Sequence, residues 1–210
     1  MLISVEDIKQ VLLSKNIIIN GVFHIGAHEC EELDFYNNIL GVKSEDIIWI
    51  DAIISKVIDA KIKGIQNIYN AVITDKDDED VVFNVSNNNQ SSSVLEFGTH
   101  STEHPGIVYV NQVSCKSITV DTFFEMNNID ASKCNFWNFD IQGAELLALK
   151  GATNSLQYAK ALYLEVNEKE LYKKCGLINE IDDFLLKYNF KRVLTSMTRH
   201  GWGDALYIAE

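Results

Sequence analysis

Three short apolar runs near the start of the chain, residues 22–25, 47–50 and 67–73, constrain its fold more than any other feature of the sequence. The first two have the short, largely apolar pattern of strands covered on both faces, and the third reads as a further strand. The stretches between them supply that cover. Residues 29–40 place Leu33, Tyr36 and Leu40 at helical spacing before Gly41, and residues 54–63 form a second helical pattern stopped by Gly64. Ahead of both, Ser4 and Asp7 stand in capping-box-like positions before an amphipathic stretch over residues 5–15, which Asn20-Gly21 ends. Alternation of this kind predicts a parallel sheet with helices on its faces.

The rhythm breaks between residues 75 and 120. An acidic turn (75–80), a strand (81–85), a polar Asn/Ser tract (86–93) and a strand (107–113) leading towards 118–120 form an insertion, either a cover over the ligand edge of the sheet or a solvated loop. Asp121 is placed to cap a helix at 122–128. Strand 136–140, helix 144–150 closed by Gly151, strand 161–166 and helix 179–188 restore the alternation. Strands 191–195 and 205–209, joined through Arg199-His200-Gly201-Trp202-Gly203, then predict an antiparallel hairpin. The expectation is one α/β domain over residues 1–210, with a seven-stranded, mostly parallel sheet and an antiparallel last strand.

Eighteen basic against 30 acidic side chains leave a net charge of −12. That balance argues against a nucleic-acid partner, which needs a dense basic surface, and fits a small-molecule or saccharide substrate. It also fits a charge that only maintains solubility. No uninterrupted apolar stretch approaches the roughly 20 residues of a membrane span, so no membrane partner is expected. Cys30, Cys115, Cys134 and Cys175 include no C-x-x-C pair, and read as reduced packing thiols in a cytoplasmic protein.

Ligands of open α/β sheets bind at the carboxyl ends of the strands, beside the reversal in strand order. Polar residues fall at four such ends: Gly26-Ala27-His28, Asp51, Asp140, and the segment Glu165 to Asn167. Gly26 permits a tight turn, and Asp51, 25 residues on, suits a carboxylate that accepts both hydroxyls of a ribose. The nicotinamide fingerprint G-x-G-x-x-G is absent, which counts against hydride transfer.

The segment Asp140-Ile141-Gln142-Gly143-Ala144-Glu145, followed by a leucine-rich stretch and Lys150-Gly151-Ala152, resembles the signature of FkbM-type S-adenosylmethionine-dependent methyltransferases. Residues 22–28 look like that family's first cofactor motif, Ser91-Ser92-Ser93-Val94-Leu95 like its serine-rich loop, and Ser117 to Asp121 like its strand-to-helix step. Trp202 to Leu206 is similar to its closing hairpin, so the resemblance spans roughly residues 20–209. Two positions depart from the pattern: Cys30 stands where a second glycine is frequent, and His24 where many methyltransferases carry an acid.

The resemblance implies a Rossmann-like class I methyltransferase fold and S-adenosylmethionine as cofactor, held by His24, Gly26, Ala27, His28, Glu32, Asp51, Ala52 and Gln142. It also implies O-methylation of a hydroxyl on a saccharide or sugar-bearing metabolite, a form of glycan modification. Such a hydroxyl is a poor acid and needs a base. Asp140 is the first candidate and Glu165 the second, while Asp140 as a mere helix cap is the alternative. Asp140, Glu165 and Asn167 could instead hold Mg²⁺, although no dense acidic cluster demands it. The pairs His24/His28 and His100/His104 are not expected to share a helix face, which sets zinc aside. Glu32 and Glu145 serve either cofactor binding or a helix dipole, and Tyr172 and Trp202 either a sugar ring or the core. Two further functions stay open: a non-catalytic binding module on the same fold, and a nicotinamide-dependent oxidoreductase.

Overall fold

The computed structural model describes residues 1–210. Ser4 accepts a hydrogen bond from the Asp7 N–H at 3.1 Å and so starts α1 (Val5–Ser14), which buries Ile8 and Leu12. The chain then enters β1 (Val22–Ile25), β2 (Ile47–Asp51), α2 (Ile54–Ile62) and β3 (Ile68–Asn70). Every residue of β1 and β2 is buried, the polar His24 and Asp51 included.

The third run, residues 67–73, does not form one strand. β3 closes the sheet edge against β2, and beyond Ala71 a separate β4 (Val72–Ile73) pairs in parallel with a later strand at Ser117 and Ile118. Asn70 makes the break: its side-chain amide donates to the Asp51 and Ala52 carbonyls at 2.9 and 3.0 Å and ties off the end of β2. The insertion continues as β5 (Asp80–Ser86), the one-turn α3 (His100–Glu103) and the long β6 (Tyr109–Ile118), so β4, β6 and β5 form a second sheet of three strands.

The helix expected over residues 29–40 is also cut back. His28 and Cys30 lie at φ 44° and 59°, in the left-handed region that no right-handed helix contains. The Glu31 carboxylate holds this turn through the His28 ring at 2.7 Å and the Glu29 N–H at 3.0 Å. Helix begins only at Leu33 and passes into a π-helical turn at Phe35–Ile39, which buries the adjacent Phe35 and Tyr36 together.

α4 (Val120–Met126) starts two residues earlier than expected, capped by Thr119 rather than Asp121. Asp121 instead accepts from the Asn154 and Ser155 N–H groups at 2.9 and 2.8 Å. β7 (Phe136–Phe139), α5 (Glu145–Lys150), β8 (Ala161–Asn167), α6 (Ile178–Leu186), β9 (Phe190–Met197) and β10 (Trp202–Ala209) complete the chain.

The main sheet has the order β3-β2-β1-β7-β8-β10-β9, and β10 runs antiparallel to both neighbours. This is the seven-stranded, mostly parallel arrangement expected from the sequence. The sheet separates two apolar cores: Phe23 and Ile25 of β1 face one and Val22 the other. The chain builds outwards from β1 through β3 and returns to lay β7 on the other side of β1, so the strand order reverses between them.

Candidate active site

Two adjoining cavities open at this reversal. The smaller lies between Gly26, Asp51, Ala52, Ile53, Ile73 and Phe83. The larger is lined by His24, Glu32, Glu165, Tyr172, Trp202 and other residues. Gly26, His28, Gln90, Asp140 and Gln142 belong to both and mark the junction.

Gly26 is fixed by geometry. It lies at φ +92°, and a Cβ there would stand 1.8 Å from the Asp140 carbonyl oxygen. Only a glycine lets β1 and β7 end this close together. The Gly26 and Ala27 N–H groups both donate to the Ile50 carbonyl at 2.9 Å, which leaves Ala27 beneath the turn, lining neither cavity.

Asp51 ends β2 almost fully buried. Its carboxylate accepts from the His28 and Ile53 N–H groups, both at 2.7 Å, so it clamps the turns after β1 and β2 to each other. Burial pushes its pKa up against the pull of those N–H groups. Each carboxylate oxygen still has a lone pair for a hydroxyl donor in the smaller cavity.

At the junction one side chain organises the acids. Gln142 sits at φ 57°, and its amide nitrogen donates to Asp140 Oδ1 at 2.7 Å and Glu165 Oε2 at 2.6 Å. Its amide oxygen accepts from the Tyr172 hydroxyl at 2.6 Å, and its carbonyl from Ser93 Oγ at 2.9 Å. Asp140 is exposed and Glu165 buried. Burial, with Asp140 and Glu145 nearby, holds the Glu165 carboxyl well above the usual range. The two candidate bases therefore meet through a shared amide. Asn167 lines neither cavity, so the three residues considered for Mg²⁺ do not meet in one.

Residues 24–192 match the model of the methyltransferase FkbM domain. The chain belongs to the FkbM methyltransferase family. Among solved structures it is similar to methyltransferase FkbM from Methylobacillus flagellatus KT, at 14 % identity and a TM-score of 0.54, over 90 % of this chain and 43 % of that one. That likeness shows a shared fold, and this chain spans less than half the length of that protein. A second similar structure is magnesium protoporphyrin IX methyltransferase (ChlM) from Synechocystis PCC 6803 with bound SAM, at 12 % identity and a TM-score of 0.41, over 98 % of this chain and 78 % of that one. No curated protein matches the sequence.

In this FkbM-family chain the departure at His24 has a definite structure. The Tyr36 hydroxyl accepts from the Asn138 amide at 2.7 Å and lies 3.0 Å from His24 Nδ1. Burial lowers the His24 pKa to about 4, so the ring is neutral at pH 7. Asn138, a lone amide in the run Phe-Trp-Asn-Phe, was the sequence signal for this network.

Glu145 does not reach a cavity. It is buried, accepts from the Ile141 and Gly143 N–H groups at 2.9 and 3.3 Å, and so holds the turn that presents Gln142. Burial pushes its carboxyl up to about 8.

The insertion roofs both cavities and is no solvated loop. Phe83, Ser92 and Val94 line the smaller one, and Ser91, His100 and His104 the larger. Ser86, Ser91, Ser92 and Ser93 of the polar tract are all buried. α3 ends at Glu103 and His104 follows it outside helical geometry at φ −133°, so the pair shares no helix face, although the two ring centroids lie 4.9 Å apart. Glu103 fastens the roof through Lys169 at 2.5 Å and His200 at 2.9 Å.

Proposed function

We propose that this chain transfers the methyl group of S-adenosylmethionine to a hydroxyl oxygen of a saccharide or sugar-bearing metabolite. The observation that carries the reading is the carboxyl pair Asp140–Glu165, joined by Gln142 where the two cavities meet. An apolar cavity with a buried carboxylate at its rim, and a glycine turn that tolerates no side chain, fit an adenosyl group. Gly26, Asp51, Ala52 and His28 would hold that end, with Ala27 shaping the turn, and His24, Glu32 and Gln142 would hold the methionine end. S-adenosylmethionine supplies a methyl already activated on a sulfonium, so the protein has to align the acceptor and remove one proton.

Asp140, exposed at the junction, takes the proton of the acceptor hydroxyl. Glu165 keeps its own proton because burial beside Asp140 disfavours a second charge. Gln142 spaces the two, and Tyr172 fixes the amide in the orientation that donates to both acids. Base catalysis of this kind needs no Mg²⁺, and none is assigned a step. Residues 1–210 act as a single catalytic unit with the insertion as its roof. The acidic chain acts on small molecules rather than nucleic acid. No helix is long and apolar enough to cross a membrane. Burial raises the pKa of all four free thiols, as suits packing cysteines in the cytoplasm.

Calorimetric titration with S-adenosylmethionine, S-adenosylhomocysteine and NADPH tests the reading. Saturable micromolar binding of the two sulfur compounds alone is expected. Binding of NADPH alone would transfer the site to hydride chemistry, and binding of the sulfur compounds without transfer to any glycoside would leave a binding module.

A further inference from the structure

We propose that the larger cavity takes an acceptor carrying a protonated amino group beside its hydroxyls, an amino sugar or similar amine-bearing polyol, and refuses phosphorylated acceptors. The inference rests on the methyl-transfer reading and narrows its substrate class.

Charge is the first ground. Glu31, Glu32, Asp140, Glu165 and Asp204 all line the larger cavity, and no Lys or Arg does. This does not simply repeat the acidity of the chain, which carries 18 Lys and Arg. Lys56 and Lys63 line a neighbouring groove just beyond His28, so cations are close but kept out of this chamber. A phosphate entering here would meet five carboxyl groups and no lysine or arginine, with only the terminal ammonium of Met1 beside them, whereas an ammonium would meet several acceptors. The sulfonium of the cofactor offsets only one negative charge. Burial holds the Glu32, Glu165 and Asp204 carboxyls above their usual range, against the pull of the Met1 ammonium on Glu32 and Asp204.

The second ground is the aromatic wall. His100, on the roof of the chamber, stacks on Phe97 with ring centroids 4.2 Å apart and planes at 6°. Burial lowers its pKa to about 4, so the roof adds a neutral imidazole rather than a cation. Trp202, half-buried on the closing hairpin, lines the same chamber, as does Tyr172. Aromatic faces among carboxyl groups attract an ammonium by cation–π interaction and accept the apolar face of a sugar ring.

The test uses the full chain, first saturated with S-adenosylhomocysteine. Methyl glucosaminide, methyl glucoside and glucose 6-phosphate are then titrated calorimetrically at neutral pH, in low and in high salt. The amine should bind at least about tenfold tighter than the neutral glycoside, the phosphate should not bind, and high salt should narrow the gap. Equal affinity for amine and neutral glycoside, tighter binding of the phosphate, or no binding of any of the three overturns the inference and leaves the methyl-transfer reading standing. Failure of the first step, S-adenosylhomocysteine binding, removes the reading itself and this inference with it.

Discussion

The smaller cavity is walled mostly by apolar side chains at the ends of neighbouring strands, whereas the larger is walled by ionisable ones as far apart in sequence as His24 and Asp204. The first is shaped by main-chain turns: Gly26 against Asp140, and Asp51 clamping the loops after β1 and β2. Such a site is rigid before any ligand arrives. The second depends on side-chain hydrogen bonds that converge on Gln142, and on a roof fastened through Glu103. A cofactor common to many enzymes suits the first construction, and an acceptor peculiar to one enzyme suits the second.

Asp140→Ala is the sharpest way to break that division. It removes the proposed base while leaving Asp51 and the Gly26 turn in place, so turnover should fall about 10³-fold, far more than affinity for S-adenosylmethionine. Wild-type turnover in this variant would remove Asp140 as the base. Asp51→Ala should do the reverse. It strips the acceptor from two N–H groups at the cavity rim, and cofactor affinity measured by calorimetry should weaken about 100-fold. If both variants lose affinity alike, the cavities do not divide the labour.

The larger cavity also carries an acid liability. His24 is held at about 4, below the 6.5 of an exposed imidazole, so between those values the unfolded chain binds a proton that the folded chain refuses. This contribution to stability is complete above pH 6.5 and is lost as pH falls towards 4. Urea unfolding of wild type and His24→Gln at pH 7 and pH 4 isolates it. Relative to wild type, the variant should gain about 2–3 kcal/mol on acidification. Glu145 has the opposite sign: its carboxyl is held up at about 8, so its contribution is complete below pH 4.5 and is lost as pH rises through 8. A His24→Gln difference that does not change with pH would mean that the ring is not buried as described.

How much of this could be read from sequence follows the same division. Strands buried on both faces announce themselves by composition, and β1, β2, β7 and β8 lie where the apolar runs put them. Gly26 and Asp51 stand at strand ends for the same reason. The left-handed turn at His28 and Cys30 was hidden, because neither residue type favours that backbone and the stabilising Glu31 contacts are made by side chains. The break at Ala71 depends on where the Asn70 amide points, and the cap of α4 on which of Thr119 and Asp121 meets another partner first. Gln142 was legible as a motif residue but not as a hub, since Tyr172 lies 30 residues away and Ser93 lies 49.

Tyr172→Phe tests that hub at its most distant support. The ring is 1 % exposed, and the substitution keeps its shape, removing only the hydroxyl that donates to Gln142 Oε1 at 2.6 Å. With that bond gone the amide can rotate, and its nitrogen no longer has to lie between Asp140 and Glu165. Turnover should fall about fivefold to tenfold, the equivalent of about 1 kcal/mol for one hydrogen bond, with a smaller loss of cofactor affinity through the loosened Gln142. The acid limb of the pH–rate profile should also move, because the shared amide is what sets the two carboxyls apart. A loss confined to cofactor affinity would place Tyr172 with the smaller cavity. A loss of stability alone, with the profile unmoved, would reduce it to a packing residue and leave Gln142 fixed by Ser93 and its own left-handed backbone.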